Sequence, residues 1–306
     1  MNEPVVEFHN VSKIFRTRRK TVTALNEASF TVRKGDVFGL LGANGAGKTT
    51  AMRCILGLTR ISGGELLVLG RDSLDRRRLF SHAAYLPEEP QLFAGATGRE
   101  HLLYFARLCG IDRSHARHRI EEVLVVSGLT ESADRPISGY SKGMKQRLGI
   151  AAAVLHEPDI VFLDEPTRGL DPIGRREVRD LLARLSEQGA TLFLNSHLLG
   201  EVERLCNRVA ILVDGKVKAE GALADMLSEG ERIVVRFALP DPAKAQFPEA
   251  QRAEGGLYTI TVADTAALAE LTARIASAGG RVIAAQSDRL ELEDFFLRVV
   301  GKGGGA

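Results

Sequence analysis

The segment Gly42-Ala43-Asn44-Gly45-Ala46-Gly47-Lys48-Thr49 constrains this chain more than any other. It fits the pattern G-x-x-x-x-G-K-[ST] in full. An apolar run at residues 36–41 precedes it, and a stretch of helical character at residues 48–57 follows it. Strand, glycine-rich loop and helix, in that order, form a phosphate-binding loop. Gly42, Gly45 and Gly47 let the backbone curl so that its N–H groups point at phosphate oxygens, with Ala43, Asn44 and Ala46 between them. The helix N-terminus adds partial positive charge at the same place. Lys48 is expected to reach the β- and γ-phosphates, the Thr49 hydroxyl to bind Mg2+, and Thr50 to help hold the α-phosphate. Such a loop fits kinases, GTPases and many ATPases, and does not choose among them.

The rest of the chain alternates short apolar runs with amphipathic stretches, which predicts an α/β fold. Strands are expected at residues 5–8, 28–32, 68–69, 83–86, 159–163, 191–195 and 209–213. Helices are expected at residues 101–110, 116–128, 144–155 and 177–188. Composition changes near Gly230, and residues 239–256 are rich in Pro, Ala and Gly, as a loop or linker is. Strands at 258–262 and 282–285 around a helix at 265–278, with a final helix at 291–300, suggest a small α+β domain. The expected division is a main domain at 4–230, an appendage at 231–300 and a frayed tail at 301–306.

Bulk properties narrow the function classes. With 306 residues, 44% hydrophobic and 26% charged, the chain has the profile of an ordinary globular protein. A formal charge of +2 gives no field that calls for nucleic acid. Basic clusters at residues 16–20 and 76–78 read as solvated surface, or as contacts to acidic lipid or a partner. Cys54, Cys109 and Cys206 form no metal-ligand pair, and reduced thiols are the default reading. No run approaches the ~18 apolar residues that span a bilayer, and residues 1–8 lack a signal-peptide layout. A membrane role therefore needs a partner.

Residues 160–165 form an apolar strand that ends in Asp164 and Glu165. The pair reads either as helix-capping acids or as a catalytic end, with Asp164 holding Mg2+ and Glu165 taking a proton from water. Tyr140-Ser141-Lys142-Gly143-Met144-Lys145-Gln146-Arg147 lies about 20 residues earlier. Gly169-Leu170-Asp171-Pro172 follows closely, and Asn195-Ser196-His197 ends the next apolar strand.

With these motifs in this order, the sequence resembles the ABC ATPase family over residues 5–230, roughly three quarters of the chain. The resemblance implies a P-loop NTPase fold of the ABC type: a RecA-like core, a helical subdomain and an N-terminal β subdomain, here with a small C-terminal α+β appendage. It implies ATP and Mg2+ as cofactors, and a second copy of the chain closing head to tail around two nucleotides. Ser141 and Gly143 match the signature positions that contact the γ-phosphate held by the facing copy. Asp171 matches the loop that links the two sites. His197 matches the switch histidine, and Phe15 the aromatic that stacks on adenine.

Two departures matter. The common signature Leu-Ser-Gly-Gly-Gln here has Tyr140, Lys142 and Met144 at its first, third and fifth places. Glu88 stands where most members have a glutamine that ligates Mg2+ and touches the membrane subunit, with Glu89 as its rival for that register. Both variants resemble the bacterial branch that serves drug and polysaccharide exporters and nitrous oxide reductase maturation, as does Leu292-Glu293-Asp294-Phe295-Phe296-Leu297. The expected protein is an ATPase on the cytoplasmic face of the cell membrane, bound through an integral-membrane permease. Alternatives are a soluble ABC ATPase acting on the ribosome or RNA, and an importer subunit. Only 93 positions separate Lys48 from Ser141, with no sustained heptads, which excludes the coiled-coil DNA-repair class. Glu165, His197 and Ser141 are all present, so hydrolysis is expected.

Overall fold

The computed structural model describes residues 3–17, 20–228, 232–240, 246–288 and 290–301. Two compact units emerge: residues up to Leu223, joined by the end of the chain from Val299, form the first, and Ala224–Arg298 the second. Arg18 and Arg19 of the first basic cluster, the side chains of residues 76–78, and residues 302–306 of the expected tail lie outside the described residues.

The first unit begins with β1 (Pro4–Arg16), β2 (Thr21–Arg33), β3 (Val37–Leu41), α1 (Lys48–Ile55), β4 (Gly63–Val68) and β5 (Arg71–Asp72). It continues through α2 (Arg76–His82), β6 (Ala83–Leu86), α3 (Gly98–Leu108), α4 (Arg113–Ser127), α5 (Lys142–Val154) and β7 (Ile160–Asp164). Then come α6 (Pro172–Glu187), β8 (Thr191–Asn195), α7 (Leu199–Leu205), β9 (Arg208–Val213) and β10 (Lys216–Ala222), with α8 (Leu223–Ser228) at the boundary. One sheet, β2-β1-β4-β5, is antiparallel. The other has the order β10-β9-β3-β8-β7-β6, in which all strands but the edge strand β10 run parallel.

Strands β3 and β8 are buried at every position, which explains why they read as continuous apolar runs rather than as alternation. β1 and β2 are much longer than the runs at 5–8 and 28–32 foretold. Register shifts after Phe8 and Val11 break the period-two pattern from which a strand is read. An aromatic chain joins the two sheets. Phe8 stacks on Phe30 at 4.2 Å, Phe30 on Phe38 at 5.5 Å, and Phe38 on Phe193 at 5.6 Å, with Phe162 against Phe193 at 5.6 Å. Each ring is fully or almost fully buried, worth about 1.5–3 kcal/mol apiece, so the phosphate-loop strand is anchored from both sides.

α3, α4 and α5 are inserted between β6 and β7. Their starts are set by side chains. Thr97 and Glu100 form a capping box at α3, Asp112 caps α4, and Ser141 caps α5. Asp171 caps α6 with Pro172 in its first turn.

The second unit holds β11 (Arg232–Ala238), β12 (Gln251–Arg252), β13 (Tyr258–Val262), α9 (Thr265–Ser277), β14 (Arg281–Asp288) and most of α10 (Leu292–Gly301). Its antiparallel sheet, β12-β13-β11-β14, packs Val235, Phe237 and Ile260 with Leu271 and Ile275 of α9. Within the expected linker at 239–256, residues 241–245 lie outside the described residues. The described part is partly ordered into the unit: Phe247 is buried, 5.6 Å from Phe237, and β12 pairs with β13.

Candidate active site

β3 delivers its chain to the edge of the parallel sheet, where residues 42–47 turn over the start of α1. Gly47 precedes Lys48 with φ 110°, and a Cβ there would collide with the Ala24 carbonyl oxygen. Only glycine meets both demands. The loop is closed by Ala46 N–H donating to the Ala43 carbonyl at 3.1 Å, and by Gly215 N–H donating to Ala46 O at 3.0 Å. Ala43, Asn44 and Gly45 are exposed, as is Thr49, whereas Thr50 is half-buried. Lys48 is 8% exposed and donates to the carbonyls of Gly42 at 2.5 Å and Ala43 at 3.2 Å. Burial lowers its pKa from the usual lysine value, while the charges of Glu165 and Asp164 pull the other way. A buried ammonium with carbonyls as its hydrogen-bond partners gains most from an anionic ligand.

β7 and β8 bring the acids and the histidine to the same edge. The register pairs Asp164 with Asn195, so both strands end together. The Asn195 amide donates to Asp164 Oδ1 at 2.7 Å, and the Tyr85 hydroxyl donates to Oδ2 at 3.3 Å. Tyr85 stays protonated, its pKa pushed up to about 12 by burial and then by the charge and hydrogen bond of Asp164. Glu165 takes a left-handed conformation, φ 48°, and its N–H donates to the Asn195 carbonyl at 2.8 Å. Its side chain meets His197 Nδ1 at 2.7 Å through Oε1, and the Ser196 hydroxyl donates to Oε2 at 3.5 Å. A strained, mostly buried carboxylate held against an imidazole at a strand end has the geometry of a general base with its orienting partner. The oxygen donors of Thr49, Asp164 and Glu88 are of the hard kind that suits Mg2+, and the two hydrogen bonds on Asp164 leave it lone pairs.

Ser141, Gly143 and Asp171 line a different concavity, together with Gly169, Gly174 and Glu177. None of the phosphate-loop residues, Glu165 or His197 lines it. The Ser141 hydroxyl accepts from Met144 N–H at 3.1 Å, and Asp171 Oδ1 from Gly174 N–H at 2.7 Å. Two helix N-termini therefore open on one groove. A Cβ on Gly143 would stand 3.5 Å from Gly174 Cα, an ordinary contact, so the two N-termini are neighbours.

Phe15 is 40% exposed on β1, and Lys13 Nζ lies over its ring, 4.8 Å from the centre. Glu88 forms an ion pair with Arg168 at 2.7 Å. Tyr85 and Arg168 carried no role in the reading of the sequence. Asn195 was seen only as part of a motif. No spacing rule marks these residues, because their partners are set by strand pairing and loop course.

Residues 25–168 match the ABC transporter family. The chain is 36% identical to an uncharacterized ABC transporter ATP-binding protein of Synechocystis sp., over 98% of this chain and 86% of that protein. It is 34% identical to the bacitracin transport ATP-binding protein BcrA of Bacillus licheniformis, over 98% of each. Among solved structures it is similar to a dimeric ATP-binding cassette in a post-hydrolysis state bound to ADP and Pi. The identity there is 25% and the TM-score 0.62, over 71% of this chain and 98% of the other.

Proposed function

Since the chain belongs to the ABC transporter ATP-binding subunits, which bind and hydrolyse ATP, we propose that it drives export through a separate permease, with a catalytic shell shared between two copies. The observation that carries the reading is the convergence of Lys48, Asp164 and the 2.7 Å Glu165–His197 pair at the ends of three adjacent parallel strands. The Ser141 groove lies apart from that cluster.

In this reading the loop N–H groups and the α1 N-terminus receive the phosphates, and Lys48 turns from the Gly42 carbonyl to the β- and γ-phosphates. Phe15 stacks on adenine, and Thr50 holds the α-phosphate. Thr49, Asp164 and Glu88 would hold Mg2+, whose charge neutralises the phosphate oxygens when it is bound. The second copy, turned head to tail, supplies its Ser141, its Gly143 and the N-terminus of its α5 to the γ-phosphate. Asp171 lies on the path between the two sites. Glu165 takes a proton from water as the water oxygen attacks the γ-phosphorus. The bond to the bridging oxygen breaks, and ADP departs. His197 orients Glu165 and steadies the transferring group, a largely electrostatic task.

The permease reading is supported by the surface after β6. Phe93, within residues 91–98, is 50% exposed and Tyr104 of α3 45%, and their rings meet at 5.0 Å. An exposed aromatic pair suits an apolar partner segment. No helix among the described residues is long and apolar enough to cross a membrane, which fits attachment to the inner face through that partner. Export is favoured by the resemblance of Glu88, Tyr140 and residues 292–297 to the exporter branch.

Glu165→Gln keeps the shape of the base and removes its proton affinity. Turnover is expected to fall by about 100-fold or more while ATP binding persists. A long-lived ATP-bound dimer should then elute on gel filtration. Turnover near that of the wild type excludes Glu165 as the base.

A further inference from the structure

Glu88 brings a carboxylate close to where the account above places the phosphates. A charge of that sign opposes the γ-phosphate unless a cation offsets it, yet it attracts a divalent metal. The fold supplies such a cation from an unexpected place. β6 and β7 are parallel with Leu86 opposite Leu163, so Glu88 and Glu165 each lie two residues beyond that pair, at one edge of the sheet. Three residues after Glu165 comes Arg168. Its N–H donates to the Glu165 carbonyl at 3.0 Å, so the turn that begins at the base residue fixes where Arg168 stands. From there the Arg168 guanidinium donates to Glu88 Oε2 at 2.7 Å. Among the described residues no second acid pairs with Arg168.

We propose that Arg168 is a positioning residue for Glu88: the pair forms a latch that holds the Glu88 carboxylate off the metal and phosphates and releases it when Mg·ATP is bound. The inference rests on the nucleotide site as proposed above. Both partners are well exposed, Arg168 55% and Glu88 41%, so the pair is weak. Weakness suits a switch, because a pair worth about 0.2–1 kcal/mol is within reach of a competing divalent cation. The latch also ties the loop that leads to Phe93 to the segment that leads to Asp171.

The test is an equilibrium Mg2+ titration of trinitrophenyl-ATP binding, read by fluorescence, on the full chain. Arg168→Ala is expected to lower the Mg2+ concentration at half-saturation by about 2- to 5-fold, the range open to an exposed ion pair. Arg168→Lys should restore most of the wild-type value. In a Glu88→Gln background, Arg168→Ala should produce no shift, since the charge it restrains is gone. Equal shifts in both backgrounds would mean that Arg168 acts without Glu88, and no shift in the wild-type background would mean that no latch exists; either overturns the proposal. Lys48→Ala separates this failure from a wider one. If it leaves trinitrophenyl-ATP binding intact, the nucleotide site itself is misplaced. If it abolishes binding while the Arg168 variants behave alike, only the latch is wrong.

Discussion

Tyr140 shows how a departure at one residue can be accommodated. It directly precedes Ser141, and its hydroxyl donates to the Ser132 carbonyl at 2.5 Å. Gly98 leaves the room for it, since a Cβ there would stand 2.5 Å from the Tyr140 hydroxyl oxygen. The side chain is 5% exposed, and burial raises its pKa, so the donor stays protonated across the working range. Tyr140→Phe removes this donor, while the half-buried Ser132 carbonyl keeps the Arg135 N–H at 3.0 Å, so the loss is about 0.5–1.5 kcal/mol. The local consequence is a looser start to α5. Turnover is expected to fall several-fold with little change in KM for ATP, as steady-state kinetics would show, because the residues of the phosphate loop are untouched. An unchanged turnover would make Tyr140 a packing residue only. At this scale the placement of four residues singled out in the sequence is what the structure shows: Lys48, Asp164, Glu165 and His197 lie at one sheet edge. Their supports stayed hidden. Asn195 and Tyr85 reach Asp164 only because β6, β7 and β8 end in register, and register is a property of the sheet rather than of any one strand.

At the scale of elements, the most legible parts were those with a strong local cause. β8 has the bounds its apolar run foretold, and α1 starts at Lys48 because Gly47 makes the turn. α6 starts five residues before its apolar spacing suggested, because Asp171 and Pro172 begin it through capping rather than burial. β11 was not foreseen: its exposed and half-buried positions around Val235 and Phe237 give a weak pattern, and its core forms only with α9 and β13. The turn into α1 offers a test of element-level reasoning. Gly47→Ala should destabilise the fold by about 1–3 kcal/mol, from positive φ and collision with Ala24, and should weaken nucleotide binding. Gly45→Ala also meets positive φ, 86°, but its Cβ faces open space, so its thermal melt should shift less. If both melt alike, the collision with Ala24 is not what sets the cost.

The whole molecule poses the question that no single chain answers. One copy holds the phosphate loop and Glu165 at one sheet edge, yet its Ser141, Gly143 and Asp171 open on a groove of their own. The helix N-terminus there carries Lys142 and Lys145 and no acid in its first turn, an arrangement that repels further cations and welcomes an anion from outside. The central claim is therefore that catalysis belongs to the pair. Ser141→Arg blocks the groove and spares the phosphate loop, while Lys48→Ala does the reverse. Each variant alone should be nearly inactive. Mixed in equal amounts, with heterodimers verified by differential tagging, they should regain a fraction of wild-type ATPase activity, because one of the two composite sites then has both halves intact. Mixtures that form heterodimers and stay as inactive as the separate variants would contradict the account.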